Sequence, residues 1–319
     1  MKHLVASSRL LQLRLRDHRR RAEETSSTAT RSSAASWSRS TSPAGRGRFD
    51  AALQFADRAL AGNPGVAQLH FHRAELLRAL RRAEASLEAY RQALAIDPNH
   101  VEALNNLADS LTAMERTSDA LPLLERALAL NPDYVPALNN RANLLQLLGR
   151  TADALQDFDR AAALSQGHPY VLFNRAGALM TLKRYAQAEA DCRRALAQAP
   201  DHVGALFNLG KAQAGQKKLG DALATSDKLI SLQPGNPMAW SDRGSLLAAM
   251  GRHKDAWACF AKALAIAEGA YVIERGAVVM KGQAGKLLKS ERLRAAYLGA
   301  EHKPGTLTWT GGLFMAEKQ

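Results

Sequence analysis

The chain has 319 residues, 46% of them apolar but only 6% aromatic, and carries a formal net charge of +13 at pH 7. A composition built on alanine and leucine suits closely packed helices, and no apolar run approaches the roughly 20 residues that span a bilayer, so membrane insertion is not expected. The charge is uneven: residues 1–48 hold eleven Lys and Arg against Asp17, Glu23 and Glu24, and residues 269–319 hold eight basic against four acidic residues. The stretch between is close to neutral, which argues against specific nucleic-acid binding by the body of the protein.

Residues 1–48 combine a basic cluster, RLRDHRRR (14–21), with a polar run, TSSTATRSSAASWSRSTSPAGRGR (25–48). They have too few apolar residues to fold alone and are expected to be disordered apart from a short helix at 4–16. A solvated tail is the plain reading. High Arg and Ser with little acid also suits a polyanion-binding arm or an organelle transit peptide. A secretory signal is not expected, since no continuous apolar run follows the charged start.

Residues 49–270 keep time. Pro64, Pro98, Pro132, Pro200 and Pro234 share one register at 34-residue steps, with Gln166 and Glu268 at the two missing steps. Each proline stops a helix by removing a backbone donor and clashing with the turn before it. Twelve residues before each step stands a small residue: Ala52, Ser86, Ala120, Ala154, Ala188, Ala222 and Ala256. Five before it stand Ala59, Ala93, Ala127, Ala161, Ala195 and Ala263, with Leu229 the exception. Two small positions per unit predict one close helix contact inside the unit and another with the next. Large residues fill complementary places, Leu104, Leu138, Leu172, Leu206 and Trp240 in a first helix and Tyr90, Leu124, Phe158 and Phe260 in a second.

This spacing, clearest in VEALNNLADSLTAMERTSDALPLLERALALNPDY (101–134) and VPALNNRANLLQLLGRTADALQDFDRAAALSQGH (135–168), resembles the tetratricopeptide repeat family. The resemblance implies an all-α, right-handed superhelical solenoid of helix-turn-helix repeats. It divides the chain into a half repeat at 49–66 and full repeats at 67–100, 101–134, 135–168, 169–202, 203–236 and 237–270. Arg73, Arg141, Arg175 and Arg243 depart from the pattern, standing where the family usually has leucine.

After Ala270 the period fails. YVIE and AVVM, joined across Arg275-Gly276, predict a β-hairpin, followed by an amphipathic helix at about 284–298 and a tail at 301–319. Residues 271–300 resemble the C-terminal end of the ATP-binding subunit of branched-chain amino-acid ABC transporters. No GxxxxGK[ST] loop is present, and GQAGKLL (282–288) lacks the first glycine and the Ser/Thr. No nucleotide site and no cofactor are therefore expected, and the helix at 284–298 is expected to cap the array.

The resemblance also implies that first helices line a concave groove. One register along it reads His72, Asn106, Asn140, Asn174, Asn208 and Asp242. Amides that both donate and accept can satisfy the backbone of an extended peptide, or they can simply tie helices together. The row is similar to the asparagine ladder of O-linked N-acetylglucosamine transferases and their bacterial relatives. One residue earlier stand Phe71, Asn105, Asn139, Phe173, Phe207 and Ser241; three residues later stand Glu75, Asp109, Asn143, Gly177, Lys211 and Ser245. The groove is thus expected to be polar over 101–168 and aromatic over 169–236, where Tyr170 and Met180 add apolar surface. Phe173 and Phe207 can anchor a partner or pack against each other between repeats. A clamp for a C-terminal carboxylate is matched only by Asn139 and Asn143, without the lysines.

His100, His168 and His202 recur in turns, and since equivalent positions of adjacent repeats lie about 10 Å apart they are too far from one another to share a zinc, so no metal is expected. Cys192 and Cys259 are expected to be buried structural thiols. No nucleophile or paired-carboxylate constellation appears. Two functions compete: a non-catalytic scaffold that binds a peptide or partner protein through residues 101–240, with no small-molecule substrate, and the substrate-recognition portion of an O-GlcNAc-transferase-like enzyme whose catalytic domain is elsewhere. The first is preferred, in a bacterial cytoplasm.

Overall fold

The structure is a computed structural model that describes the backbone of residues 43–267, 269–274, 277–283 and 312–317, and the side chains of residues 47–267. The basic N-terminal segment up to residue 42 and the helix expected at 284–298 lie outside the described residues. The chain divides into two compact units, Met1–Val171 and Leu172–Gln319.

In the first unit α1 (Pro43–Gly62) is followed by the pairs α2 (Ala67–Ala79) and α3 (Ala83–Ile96), α4 (Val101–Ala113) and α5 (Thr117–Leu130), and α6 (Val135–Leu147) and α7 (Thr151–Leu164). The unit boundary falls just inside α8 (Pro169–Thr181). The second unit continues with α9 (Tyr185–Gln198), then α10 (Val203–Gly215) and α11 (Leu219–Leu232), then α12 (Pro237–Ala249) and α13 (His253–Ile266). First helices have 13 residues and second helices 14.

Each pair is joined by a three-residue turn of one design. Its middle residue lies in the left-handed region: Arg81, Glu115, Gly149, Lys183, Lys217 and Gly251, with φ between 57° and 76°. The next N–H reaches back to the carbonyl at the leucine register of the first helix, as from Arg82 to Leu77 at 2.9 Å and from Arg150 to Leu145 at 2.8 Å. This is a Schellman closure of the helix end, which normally asks for glycine. Between repeats the residue before the proline is extended, as in Asp97 (φ −122°) and Asn131 (φ −137°). At the missing step the chain turns instead on Gln166 and Gly167, both at positive φ.

Side chains follow the periodic pattern inward. Ala120, Ala154, Ala188, Ala222 and Ala256 are fully buried, and so are Tyr90, Phe158 and Phe260. Burial of one such ring contributes about 2 kcal/mol or more. Gly244 meets Phe260 closely: a Cβ there would lie 2.7 Å from the ring. The Leu229 exception is buried with Leu206 and Ala239, and one turn before it Ser226 stands where other repeats place a ring, a leucine or, at Cys192, a thiol.

Arg73, Arg141, Arg175 and Arg243, four residues before the leucine register that closes the turn, are paired with aspartates. Arg141 grips both oxygens of Asp157 at 2.7 Å, and Arg175 grips those of Asp191 at 2.7 and 2.5 Å, each within its own repeat. Arg73 and Arg243 turn the other way, to Asp57 and Asp227 at 2.7 Å.

The C-terminal backbone holds one strand that the expectation of a hairpin, a helix at about 284–298 and a tail at 301–319 did not include. β1 (Gly269–Glu274), β2 (Ala277–Gln283) and β3 (Gly312–Glu317) form an antiparallel sheet in the order β2-β1-β3. The third strand comes from the stretch expected to be a tail, and it runs beside α12 and α13.

Candidate first-helix recognition faces

A 34-residue step returns each register to the same side of successive first helices, so the asparagine row becomes a file of neighbouring amides within each unit. In the first unit the file is wired together. Asn140 donates to Asn105 Oδ1 at 3.0 Å, Asn105 donates to Asn106 Oδ1 at 2.9 Å, and Asn106 donates to Glu75 Oε1 at 2.9 Å. Tyr90 also donates to Glu75. Burial, with the carboxylate of Glu75 beside it, holds the Tyr90 phenol protonated far above the ordinary range.

These bonds sort the expected site residues. Asn105 and Asn139 are 3% and 4% exposed, which places them inside the helix layer rather than on the groove surface. Asn106 is half-buried and spends its carbonyl and one N–H internally. Asn140 keeps its carbonyl and a second N–H uncommitted among the described residues, and the neighbouring half-buried Asn143 on α6 has its whole amide uncommitted. Asp109 is half exposed and 3.6 Å from Arg78, which also bonds Glu75 at 3.0 Å. Burial raises its carboxyl above the usual value, with Arg78 opposing and Glu75 adding to the shift. Tyr170, 51% exposed, lies at the end of this unit and takes the His168 ring nitrogen on its N–H.

In the second unit Asn208 is 8% exposed and donates to the Phe173 carbonyl at 3.3 Å, a helix-tying role. Asn174 is half-buried on α8. Phe173 stacks on His202, ring centroids 5.3 Å apart, and its ring fills the space a Cβ on Gly204 would occupy. Phe207 takes a different neighbour, the Lys211 ammonium 4.1 Å above its ring. The two phenylalanines therefore each have their own support, and neither reading from sequence had paired Phe207 with a lysine. Asp242 is half-buried; burial raises its carboxyl, and Lys211 opposes the shift.

The turn histidines have a structural task. His100 and His202 cap α4 and α10, their Nδ1 accepting from Ala103 at 3.3 Å and Ala205 at 3.0 Å. His100 Nε2 is then left to donate to Gln68 at 3.2 Å, and Phe71 stacks 4.8 Å from its ring. No group of three or more His, Cys, Asp or Glu suited to a metal occurs among the described residues.

One buried group, Glu189, gave no signal of its environment in the sequence, whereas the two cysteines were expected to be buried. Glu189 is 2% exposed; its Oε2 accepts from Lys218 at 2.8 Å and Gln216 at 2.6 Å, and the Arg193 guanidinium lies 2.7 Å from its Oε1 as an ion pair. Burial would raise its carboxyl, but the bonds from Lys218 and Gln216 and the charge of Arg193 outweigh it and hold it below the usual range. Cys192 and Cys259 are both buried thiols. Burial, then the carboxylates of Asp191 and Glu189, push Cys192 up to about 12.

The tetratricopeptide repeat model matches residues 44–101, 105–169, 173–237 and 207–271. Among solved structures the chain is similar to a tetratricopeptide repeat protein from Parabacteroides merdae ATCC 43184, at 20% identity over 69% of this chain and 87% of that one, with a TM-score of 0.56. It is similar to PilW, a widely conserved type IV pilus biogenesis factor, at 22% identity over 62% and 92%, with a TM-score of 0.59. A third likeness is to the APC/C hetero-tetramer Cut9-Hcn1, at 15% identity over 76% and 45%, with a TM-score of 0.62. At these identities the likeness establishes the fold alone. No curated protein matches the sequence.

Proposed function

Because the chain belongs to the tetratricopeptide repeat family, we propose that it is a non-catalytic scaffold that binds an extended peptide or a partner protein on its first-helix faces. The observation that carries this is the state of the amides on α6. Asn140 and Asn143 are half-buried side chains one turn apart, and they keep donors and acceptors that no described residue takes. Such a pair suits a peptide backbone, whose N–H and C=O groups need both. Asn106 and Asn208 support the face from behind, since their bonds fix neighbouring helices. In the second unit Phe207, Lys211 and Asp242 offer an aromatic surface edged by one cation and one anion. No helix among the described residues is long and apolar enough to cross a membrane.

The test is selection of binders from a displayed peptide library with the full chain, followed by calorimetry on the selected peptides. Asn140→Ala with Asn143→Ala is expected to weaken binding about tenfold or more, as the loss of two or more hydrogen bonds implies, with helix content by circular dichroism unchanged. Undiminished affinity in that variant would remove these amides from the mechanism.

A further inference from the structure

We infer that the repeat at 203–236 is a soft element, in which α10 and α11 open to solvent more readily than the helix pairs of 135–168 and 237–270. Three of its core registers depart from their counterparts. Where Tyr90, Leu124, Phe158, Cys192 and Phe260 are all buried, this repeat has Ser226, 6% exposed, its hydroxyl without a hydrogen-bond partner among the described residues. A buried hydroxyl left unpaired costs its full desolvation. Where Leu77, Leu111, Leu145 and Leu247 are buried, it has Gln213, 4% exposed, held by the Thr225 hydroxyl at 2.8 Å.

The third departure is Gly210, at a register held by Ala74, Ala108, Ala142 and Ala176. Glycine inside a helix weakens it. At the equivalent Gly244 the glycine is required, because a Cβ would lie 2.7 Å from Phe260. At Gly210 nothing requires it: a Cβ would meet only Thr225 Cγ2 at 3.7 Å and the Ala222 carbonyl at 3.9 Å, ordinary contacts. Leu229 restores apolar volume one turn further along, but it leaves the polar group at Ser226 in place. Since α10 also carries Phe207, Asn208 and Lys211, a partner that requires that face would slow the opening; the opening itself does not rest on that reading.

Hydrogen exchange of the full chain at neutral pH, read by mass spectrometry, tests this. Amides within 205–230 are expected to exchange about tenfold or more faster than those within 137–162 and within 239–264. Equal protection in 205–230 and 137–162 would overturn the inference. So would equally fast exchange in 239–264, which assigns the softness to the end of the array. Gly210→Ala should slow exchange in 205–230 about fivefold, and Ser226→Ala should slow it too, whereas Gly244→Ala should speed exchange in 239–264. If neither Gly210→Ala nor Ser226→Ala changes exchange in 205–230, the polar interior is not the cause and the inference falls.

Discussion

Replacing Asp191 by alanine should cost about 3 kcal/mol of local stability, the low end of what breaking a buried ion pair removes. The Asp191 side chain is 4% exposed and takes both bonds of the Arg175 fork, while Arg175 itself is only 18% exposed. Without Asp191 the guanidinium keeps its charge in a place water barely reaches, and Arg194, 4.0 Å from Asp191, adds a second cation rather than a substitute. Asp227→Ala removes a bond of the same kind, from Arg243 at 2.7 Å, but Asp227 is 54% exposed. Arg243 also keeps a contact to Cys259 Sγ at 3.0 Å, so this variant should cost no more than about 1 kcal/mol. The double variant Arg175→Leu with Asp191→Leu copies the repeat at 101–134, which has Leu107 and Leu123 at these registers. It should return to within about 1 kcal/mol of the parent, because an apolar pair of suitable volume replaces a buried ion pair at little net cost. Native-state hydrogen exchange across α9 and across α11, with urea titrations followed by circular dichroism, measures all three. Equal losses for Asp191→Ala and Asp227→Ala, or a double variant no better than Asp191→Ala alone, would refute the reasoning.

The turns and the buried thiol supply two more outcomes. Glu115→Gly should stabilise the repeat at 101–134 by up to about 1 kcal/mol and Gly149→Ala should destabilise its neighbour by a similar amount, since both sites have φ above 60°; thermal melts that move in the same direction for both would contradict this. In a Cys259→Ala background, Cys192 should not react with a thiol reagent at pH 8 until the protein unfolds. Its folded pKa of about 12 lies above the value near 9 of an exposed thiol, so the contribution to stability is complete below pH 9 and is lost as pH rises toward 12. A Cys192→Ala variant should show a flatter loss of stability over that window, and native-state reaction at the rate of a free thiol would exclude the burial argument.

What could be read from sequence divides along the range of the interaction. The prolines act on their own backbone, so the helix ends before Pro98, Pro132, Pro200 and Pro234 stood plainly in the 34-residue register. The turns inside the repeats did not, because Arg81, Glu115, Lys183 and Lys217 do not announce a left-handed backbone as Gly149 and Gly251 do. The asparagine register was legible, but the partners that make Asn106 and Asn208 structural lie 31 and 35 residues away. Arg141 and Arg175 find their aspartates 16 residues ahead; Arg73 and Arg243 find Ala89 and Cys259 there, and take an aspartate 16 residues behind instead. Seeing that choice required the spacing of aspartates, not only the pattern of apolar residues.

The recurrent left-handed turn has a bearing on how such a protein can change. Its closing bond runs from backbone to backbone, Lys218 to Gln213 at 2.9 Å as readily as Arg252 to Leu247 at 2.8 Å, so the geometry of a helix pair is set without consulting the side chains between the helices. A repeat can therefore drift in its interior, as the one at 203–236 has, or hold phenylalanine at Phe173 and Phe207 where its neighbours hold Asn105 and Asn139, while the turn that joins its helices keeps one form. Backbone framework and side-chain surface can thus change independently, and new surface chemistry requires new side chains but no new architecture.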